Sequence, residues 1–412
     1  MLRPLVLATL AAFAAPASGQ AFTALPQDAP AAFLDIEALG RGGAVAAAPT
    51  LDSPFFSNPA HLARTERFSL TVLGAAAGLG GNVRETYDFY DQQLGPAIEE
   101  GLDDIRTNNP DRLQALYDSA FAVGTSQKTA SLGVLAPSLR VRVGPIVAAA
   151  GVYAAGIARA RISDGGAGIP YLDAFSQADV LVPFGVAGEV PNLPFGLNIG
   201  ATATYVQRRV GAKAGAIDTF DPDSEKLYIL SGSGVRLGLG AEARDVGLPG
   251  LDLALALTDV GSTLDLTYDD AVPIEGSEDA PDDVAEIARL EARFAERDAG
   301  TALRLGAAYR VPLPAMPGFP VSDVLVTADY TSRSTAEFDQ SLQAGLRGGV
   351  SATLGGMLGL RAGLSQGMPS AGVGLATRFA RLDWATYGVE DGRLLGQQSR
   401  RAYVVQLRLG WF

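Results

Sequence analysis

Cysteine is absent from the 412 residues, so the chain has no disulfide framework, thiolate nucleophile or cysteine-held metal. Histidine occurs once, at His61, which excludes a multi-histidine metal site and forces any serine–histidine–carboxylate triad through one ring. No Gly-x-Ser-x-Gly elbow surrounds a serine, and no Gly-Lys-Ser/Thr follows the glycine run Gly78-Leu79-Gly80-Gly81. The sequence therefore offers no catalytic residues, and no cofactor or metal site is expected. Lysine is confined to Lys128, Lys213 and Lys226, and the remaining basic residues are arginine. The net charge of −13 argues against a nucleic-acid partner.

Charge is also scarce. Charged residues make up 19% of the chain against 48% hydrophobic, with 49 glycines. Soluble domains carry about a quarter charged residues. Yet the sequence beyond its first residues has no run of about 20 apolar positions, the length a transmembrane helix needs. Such a chain must distribute its apolar surface along alternating strands instead. Its length suits one large all-β domain as well as several ordinary ones.

Residues 1–19 read as a signal peptide. Arg3 supplies the positive start, Leu5 to Ala15 a short apolar core, and Ala17-Ser18-Gly19 a small-residue cleavage site. Export across an inner membrane is the expectation.

What the chain has in abundance is period-two alternation, the signature of strands with two different faces. Tyr403, Val405, Leu407, Leu409 and Trp411 share one face, opposite Val404, Gln406, Arg408 and Gly410. Leu251, Leu253, Leu255 and Leu257 alternate with Asp252, Ala254, Ala256 and Thr258. Val235, Leu237 and Leu239 alternate with Arg236, Gly238 and Gly240, and Leu303 to Val311 repeats the pattern. About fourteen strands follow, near 68–78, 130–143, 146–160, 178–190, 195–208, 231–244, 251–262, 301–312, 321–332, 341–354, 357–366, 370–379, 381–388 and 401–412. The links between them alternate in length. Gly144-Pro145, Pro191 to Pro194, Val246 to Gly250, Pro312 to Pro320, Gly355-Gly356 and Ala380 are short. Most of the intervening links are long. Bacterial outer-membrane barrels have this organisation, with short periplasmic turns and long outer loops. The fold class expected is all-β, a transmembrane antiparallel β-barrel.

Two outer loops carry helical periodicity. In 85–121, Tyr90, Leu94, Ile98, Leu102 and Ile105 recur every three or four residues, and after Asn109-Pro110 the period resumes at Leu113, Leu116, Tyr117 and Phe121. In 282–297, Val284, Ile287, Leu290 and Phe294 form one stripe. These helices either pack over the barrel mouth or form a lid or docking surface. Residues 20–67 lack long alternation and suit a plug-like segment within the barrel of 68–412, or a periplasmic tail.

That segment carries Leu39-Gly40-Arg41-Gly42-Gly43-Ala44-Val45-Ala46 and then Ser57-Asn58-Pro59-Ala60-His61-Leu62-Ala63. Both stretches resemble the N-terminal signature of the FadL-type barrels and their PorV-like and TraF-like relatives. Leu382-Asp383-Trp384-Ala385-Thr386-Tyr387 resembles the penultimate strand of that superfamily, and the chain ends, as those barrels do, on Phe412. Phe412 falls on the parity of Arg408 and Gly410, which implies a kink in the last strand. The resemblance implies an outer-membrane location and places Gly42, Gly43, Ala44, Asn58, Pro59 and Ala60 in a plug or hatch. It also implies passive movement of small hydrophobic molecules as the function. The alternatives are a PorV-like barrel that binds secreted proteins or a secretion machine, and a mainly structural outer-membrane protein. Outer-membrane lipid, a hydrophobic small molecule and a secreted protein or secretion component are the partners these readings imply.

Overall fold

A computed structural model describes residues 35–81, 83–124, 128–164, 169–193, 195–216, 226–261, 264–273, 282–294, 301–313, 321–333, 345–390 and 399–412. The signal-peptide reading of residues 1–19 lies outside them. The strands are β1 (Phe68–Gly80), β2 (Lys128–Val143), β3 (Ile146–Asp164), β4 (Pro170–Val190), β5 (Gly196–Ala216), β6 (Lys226–Arg244), β7 (Leu251–Val260), β8 (Thr267–Pro273), β9 (Ala302–Arg310), β10 (Val321–Arg333), β11 (Leu346–Leu354), β12 (Leu358–Ser365), β13 (Met368–Ala376), β14 (Ala380–Glu390) and β15 (Ser399–Trp411).

Every neighbouring pair is antiparallel, and β1 pairs with β15 as well as β2, so the sheet closes. Closure removes the free edge that hydrocarbon cannot hydrate. Fourteen strands form the ring. The fifteenth, β8, pairs only with the outer part of β6, from Lys226↔Pro273 to Ser231↔Thr267, beyond the point where β7 ends at Leu237↔Val260. It thus prolongs the place of β7 after a break at Gly261, whose φ is 64°.

The ring is inside out relative to a soluble protein. Leu239, Leu255, Leu305 and Leu407 are 44–51% exposed on the outer face, while Asn198, Glu242, Gln406 and Arg408 are at most 2% exposed on the inner face. The apolar rows read from the sequence therefore all point to the membrane. Polar partners point into the lumen, where Glu242, for one, accepts from Arg64 and Asn198.

The strand plan departs from the sequence reading in four places. First, β3 to β6 run on to Asp164, back to Pro170, on to Ala216 and back to Lys226, forming a tower that rises past the end of β2 at Lys128 on one side and far past the end of β7 at Val260 on the other. Hydrophobic alternation cannot reveal this part, because it rises above the apolar band: the outward residues Gln207 and Arg209 are polar and exposed. Second, Ala380 begins β14, and the turn lies at 377–379, where Thr377 Oγ1 accepts the Ala380 amide at 3.0 Å. Third, β8 was hidden by its charged residues Asp269 and Asp270. Fourth, the irregularity implied at the chain end is a register shift between Thr71 and Leu73 of β1, beside Gly410.

The first helical loop folds as Val83–Phe89, a π-turn at Tyr90–Leu94, Gly95–Glu100, Leu102–Asn108 and Pro110–Gly124. Asn109 caps the last of these, accepting the Arg112 amide at 3.2 Å. Its apolar faces bury against Ile162 and Leu172. The second loop helix, Val284–Phe294, starts at Asp283, which accepts the Ala285 and Glu286 amides at 2.9 and 3.1 Å. It packs through Leu290 and Phe294 on Phe175, Val210, Tyr228, Leu230 and Leu266. Val284 is excluded from that stripe and is 75% exposed. By the alternation of the pleat, Ile162 and Leu172 lie on the opposite face from Phe175 and Val210. The first helical loop therefore flanks the tower from outside, and the second lies inside the mouth.

Candidate functional site

Residues 35–65 enter the lumen and cross it. Helix α1 (Ile36–Gly40) is capped by Asp35, whose Oδ1 accepts the Ala38 amide at 3.1 Å, and lies against β12 to β15. Gly42 and Gly43 then take φ of 74° and 80°, a conformation that side chains resist. This turn aims two successive amides at one acceptor: Val45 and Ala46 donate to Asp329 Oδ2 at 2.5 and 2.6 Å. Arg41, 2% exposed, donates to the Ala48 carbonyl at 3.1 Å.

Helix α2 (Ser53–Phe56) sends Phe55 and Phe56 against Tyr153, with ring centroids 5.9 and 5.1 Å apart. A 3-10 helix, Pro59–Arg64, follows, started by Pro59 with Asn58 as its cap. Asn58 is fully buried. Its Oδ1 accepts the Ala60 amide at 3.0 Å and its Nδ2 donates to the Ala46 carbonyl at 2.8 Å. The two signature stretches, separate in sequence, are thus joined through one amide side chain. Gly42, Gly43, Ala44, Asn58, Pro59 and Ala60 all lie inside the barrel.

The wall is cut to receive this backbone. A Cβ on Gly240 would overlap Asn58 Oδ1, and one on Gly200 would lie 2.5 Å from Pro59. On the other side, Cβ atoms on Gly349 and Gly363 would overlap the Arg41 backbone. The glycine-rich inner faces of β5, β6, β11 and β12 are where the lumen segment docks.

Ion pairs fasten the rest. Arg408 of β15 binds Asp52, and Tyr153 Oη lies 3.4 Å from the same carboxylate. Glu37 binds Arg381 at 3.1 Å, and Arg361 bridges toward it from Asp383, which it holds at 2.8 Å. Burial would raise the Glu37 carboxyl, but Arg381, Arg361 and Arg41 outweigh it and hold it at about 2. Asp35 goes the other way. Burial first, and then the charge of Asp52, push it up to about 6 even though Thr50 Oγ1 donates to it at 2.5 Å. Arg64 reaches Glu242 at 2.7 and 2.9 Å and Asp252 at 2.5 Å, and Asn198 donates to Glu242 at 3.1 Å.

His61 completes this last group. Its Nδ1 is 2.9 Å from Ser53 Oγ and its Nε2 is 3.4 Å from Glu242 Oε1. Ser53, His61 and Glu242 have the composition of a hydrolytic triad. All three side chains are sealed within the contact between segment and wall, so no substrate carbonyl reaches Ser53 while the segment is docked.

Elsewhere on the inner wall there is further charge: Arg208 grips Asp179 at 2.8 and 2.6 Å, and Arg236 lies 3.6 Å from Asp259. The wall anchors Asp329, Glu242, Asp252 and Arg408 were not singled out from the sequence as site residues. Their signal was present in the alternation, as charged residues on the face opposite an apolar row.

The barrel is built like those of solved hydrocarbon channels. The TodX monoaromatic hydrocarbon channel, as a deltaS2 mutant, superimposes with a TM-score of 0.51 at 11% identity, over 91% of this chain and 98% of that one. The CymD monoaromatic hydrocarbon channel gives 0.48 at 12% identity, over 91% and 96%. The Ralstonia pickettii toluene transporter TbuX gives 0.45 at 13%, over 91% and 97%. At this identity the likeness is one of fold. No protein-family model matches the chain, and no curated protein matches it in sequence.

Proposed function

We propose that the chain is an exported outer-membrane barrel that passively takes up small hydrophobic molecules and performs no chemistry of its own. The observation that carries this reading is the apolar surface inside the mouth. Phe175, Val210, Tyr228, Leu230 and Leu266 of the wall and Leu290 and Phe294 of the loop helix form one buried cluster on the luminal side. The cluster is closed by the loop helix, so an apolar solute enters it from outside as that helix lifts from the wall, and passes inward toward the lumen segment, which acts as a plug. The fold shared with hydrocarbon channels supports the same reading. The outer apolar rows make membrane lipid the constant partner of the wall.

The test is initial uptake of a labelled monoaromatic hydrocarbon by intact cells whose outer membrane limits entry. Cells carrying the chain should exceed the empty control, and Phe294→Asp should remove most of the gain. Equal uptake with and without the chain would refute the proposal.

One observation favours a second reading, a barrel that handles proteins. The plug is fastened to opposite sides of the wall, through Glu37 to Arg381 on β14 and at Glu242 on β6, so it bridges the direct route through the lumen. Against it, the apolar faces of the described loop helices are largely covered. Tyr87 and Val284 are the large exposed apolar residues among them. Recovery of secretion components in a pull-down from outer membranes would favour this second reading.

A further inference from the structure

We propose that His61 is a proton-operated latch between plug and wall, holding the plug more tightly when its imidazole is protonated. The inference rests on the reading of residues 35–65 as the plug of this barrel, and its test is arranged so that the two can fail separately.

His61 is the single histidine of the chain, and its side chain is closed to solvent. It is the bridge between two parts of the plug and one strand of the wall: Ser53 on α2, its own 3-10 helix, and Glu242 on β6. The charged groups around it can be enumerated by element. β6 contributes Glu242, the 3-10 helix contributes Arg64, and β7 contributes Asp252, which Arg64 also binds. β5 contributes the neutral Asn198. On the α2 side, Asp52 is engaged by Arg408 of β15, with Tyr153 of β3 beside it and Arg140 of β2 over the Phe55 ring; at the far end of the 3-10 helix, Arg142 of β2 donates to the Ala63 and Thr65 carbonyls. β4 faces the 3-10 helix with Gly185 against Leu62.

The immediate cluster therefore holds two carboxylates, one guanidinium and the imidazole. With the ring neutral, one negative charge is left unbalanced. With the ring protonated, the cluster is balanced.

Both states fit the same heavy-atom positions. The neutral ring accepts the Ser53 hydroxyl at Nδ1 and carries its hydrogen on Nε2, which lies 3.4 Å from Glu242 Oε1 without a formed hydrogen bond. The protonated ring donates from both nitrogens. Ser53 Oγ then accepts from Nδ1 while it continues to accept the Thr50 amide at 2.9 Å, and its own hydrogen turns to the Thr50 carbonyl at 3.3 Å. Protonation thus needs no rebuilding of the site. It turns the 3.4 Å approach of Nε2 to the Glu242 carboxylate into an ion pair of opposite charges shielded from solvent, and it gives a buried Nε2 that lacks a hydrogen-bond partner a reason to close on Glu242. Docking of the plug should be on the order of tenfold tighter with the ring protonated than with it neutral.

Hydrogen exchange of peptides covering residues 53–64 in the full detergent-solubilised chain reads this directly, from pH 5.5 to 8 with intrinsic exchange rates divided out. The comparison is made in an Asp35→Asn background, so that this carboxyl does not contribute. Protection should rise about tenfold toward acid in the parent and stay level in His61→Gln. Ser53→Ala, which removes only the hydroxyl at Nδ1, should lower the slope. A level parent titration overturns the latch whether or not the His61 variant folds. So does a slope that persists undiminished in His61→Gln or in Ser53→Ala. Hydrocarbon uptake by cells at the same pH values separates the two readings. If protection titrates through His61 while uptake is absent or unchanging, the latch stands and the transport reading falls.

Discussion

Asp329 of β10 accepts the amide of Ala46 at 2.6 Å, joining positions 283 residues apart. The same oxygen accepts the Val45 amide, and the turn that presents both amides exists because Gly42 and Gly43 adopt positive φ. A short sequence signature near the start of the chain is thereby explained by one carboxylate near its end. Replacing Asp329 with alanine leaves two buried amides without an acceptor and removes a negative charge from a lumen that also holds Arg304 and Arg347. Truncating one member of such a buried charged contact costs about 3–5 kcal/mol. Exchange at residues 42–48 should rise by several hundredfold or more, while the ladder of β10 stays protected. Unchanged exchange at 42–48 would show that the plug is held elsewhere.

The glycines of the wall make a second prediction. Gly240→Val places a branched side chain where Asn58 Oδ1 and Pro59 sit. Gly240 is within β6, where valine suits the strand, so the barrel itself should form. The expected phenotype is a folded barrel with an undocked plug, seen in planar bilayers as a conductance that the parent lacks. Gly156→Val on β3, where the backbone is ordinary strand and a Cβ would meet only the Gln177 carbonyl oxygen at 3.6 Å, is the control for placing a side chain where there is room.

A third prediction concerns the outer face. Val405 is 41% exposed on β15, between inward Val404 and Gln406, in the apolar row. Val405→Arg should cost about 2–4 kcal/mol if the position lies near the bilayer midplane. Urea unfolding from lipid vesicles measures this. The same substitution at Gln207, outward on the tower and above the band, should cost less than about 1 kcal/mol.

The contrast between Val405 and Gln207 also marks what was legible in the sequence. Where strands cross hydrocarbon, lipid demands an apolar residue at every second position, so fourteen strands and their alternating links could be read directly. Above the membrane that demand ends. The outer ends of β3 to β6 and all of β8 are held by backbone ladders and loop helices, and they leave no period in the sequence. The Gly-Gly-Ala and Asn-Pro-Ala stretches stand out by resemblance alone, since no alternation runs through them. Their acceptors Asp329 and Glu242 lie on distant strands, and a single sequence does not reveal such long-range pairing.

The last prediction concerns acid. Asp35 caps α1 inside the lumen, and its carboxyl is pushed up to about 6 from an ordinary 3.8, chiefly by burial and then by Asp52. A raised acid binds protons more readily in the docked plug than in the undocked one. Docking therefore weakens as pH rises from about 4 to about 6, because ionising a buried carboxyl beside Asp52 is unfavourable. Glu37 has the opposite sign: it is held at about 2, so its contribution is fully present above its ordinary 4.5 and is lost only in stronger acid. Between pH 4.5 and 6 the two effects separate: of these two carboxyls, Asp35 changes charge there and Glu37 does not. The size of the Asp35 effect is on the order of 2–3 kcal/mol at most. Asp35→Asn keeps an acceptor for the Ala38 amide and removes the charge. It should hold the plug at pH 7 more firmly than the parent does and flatten the response between pH 4.5 and 6. Exchange at residues 36–40, followed over that range in both proteins, decides it. A parent whose protection rises with pH there would reverse the sign and exclude burial of Asp35 as the cause.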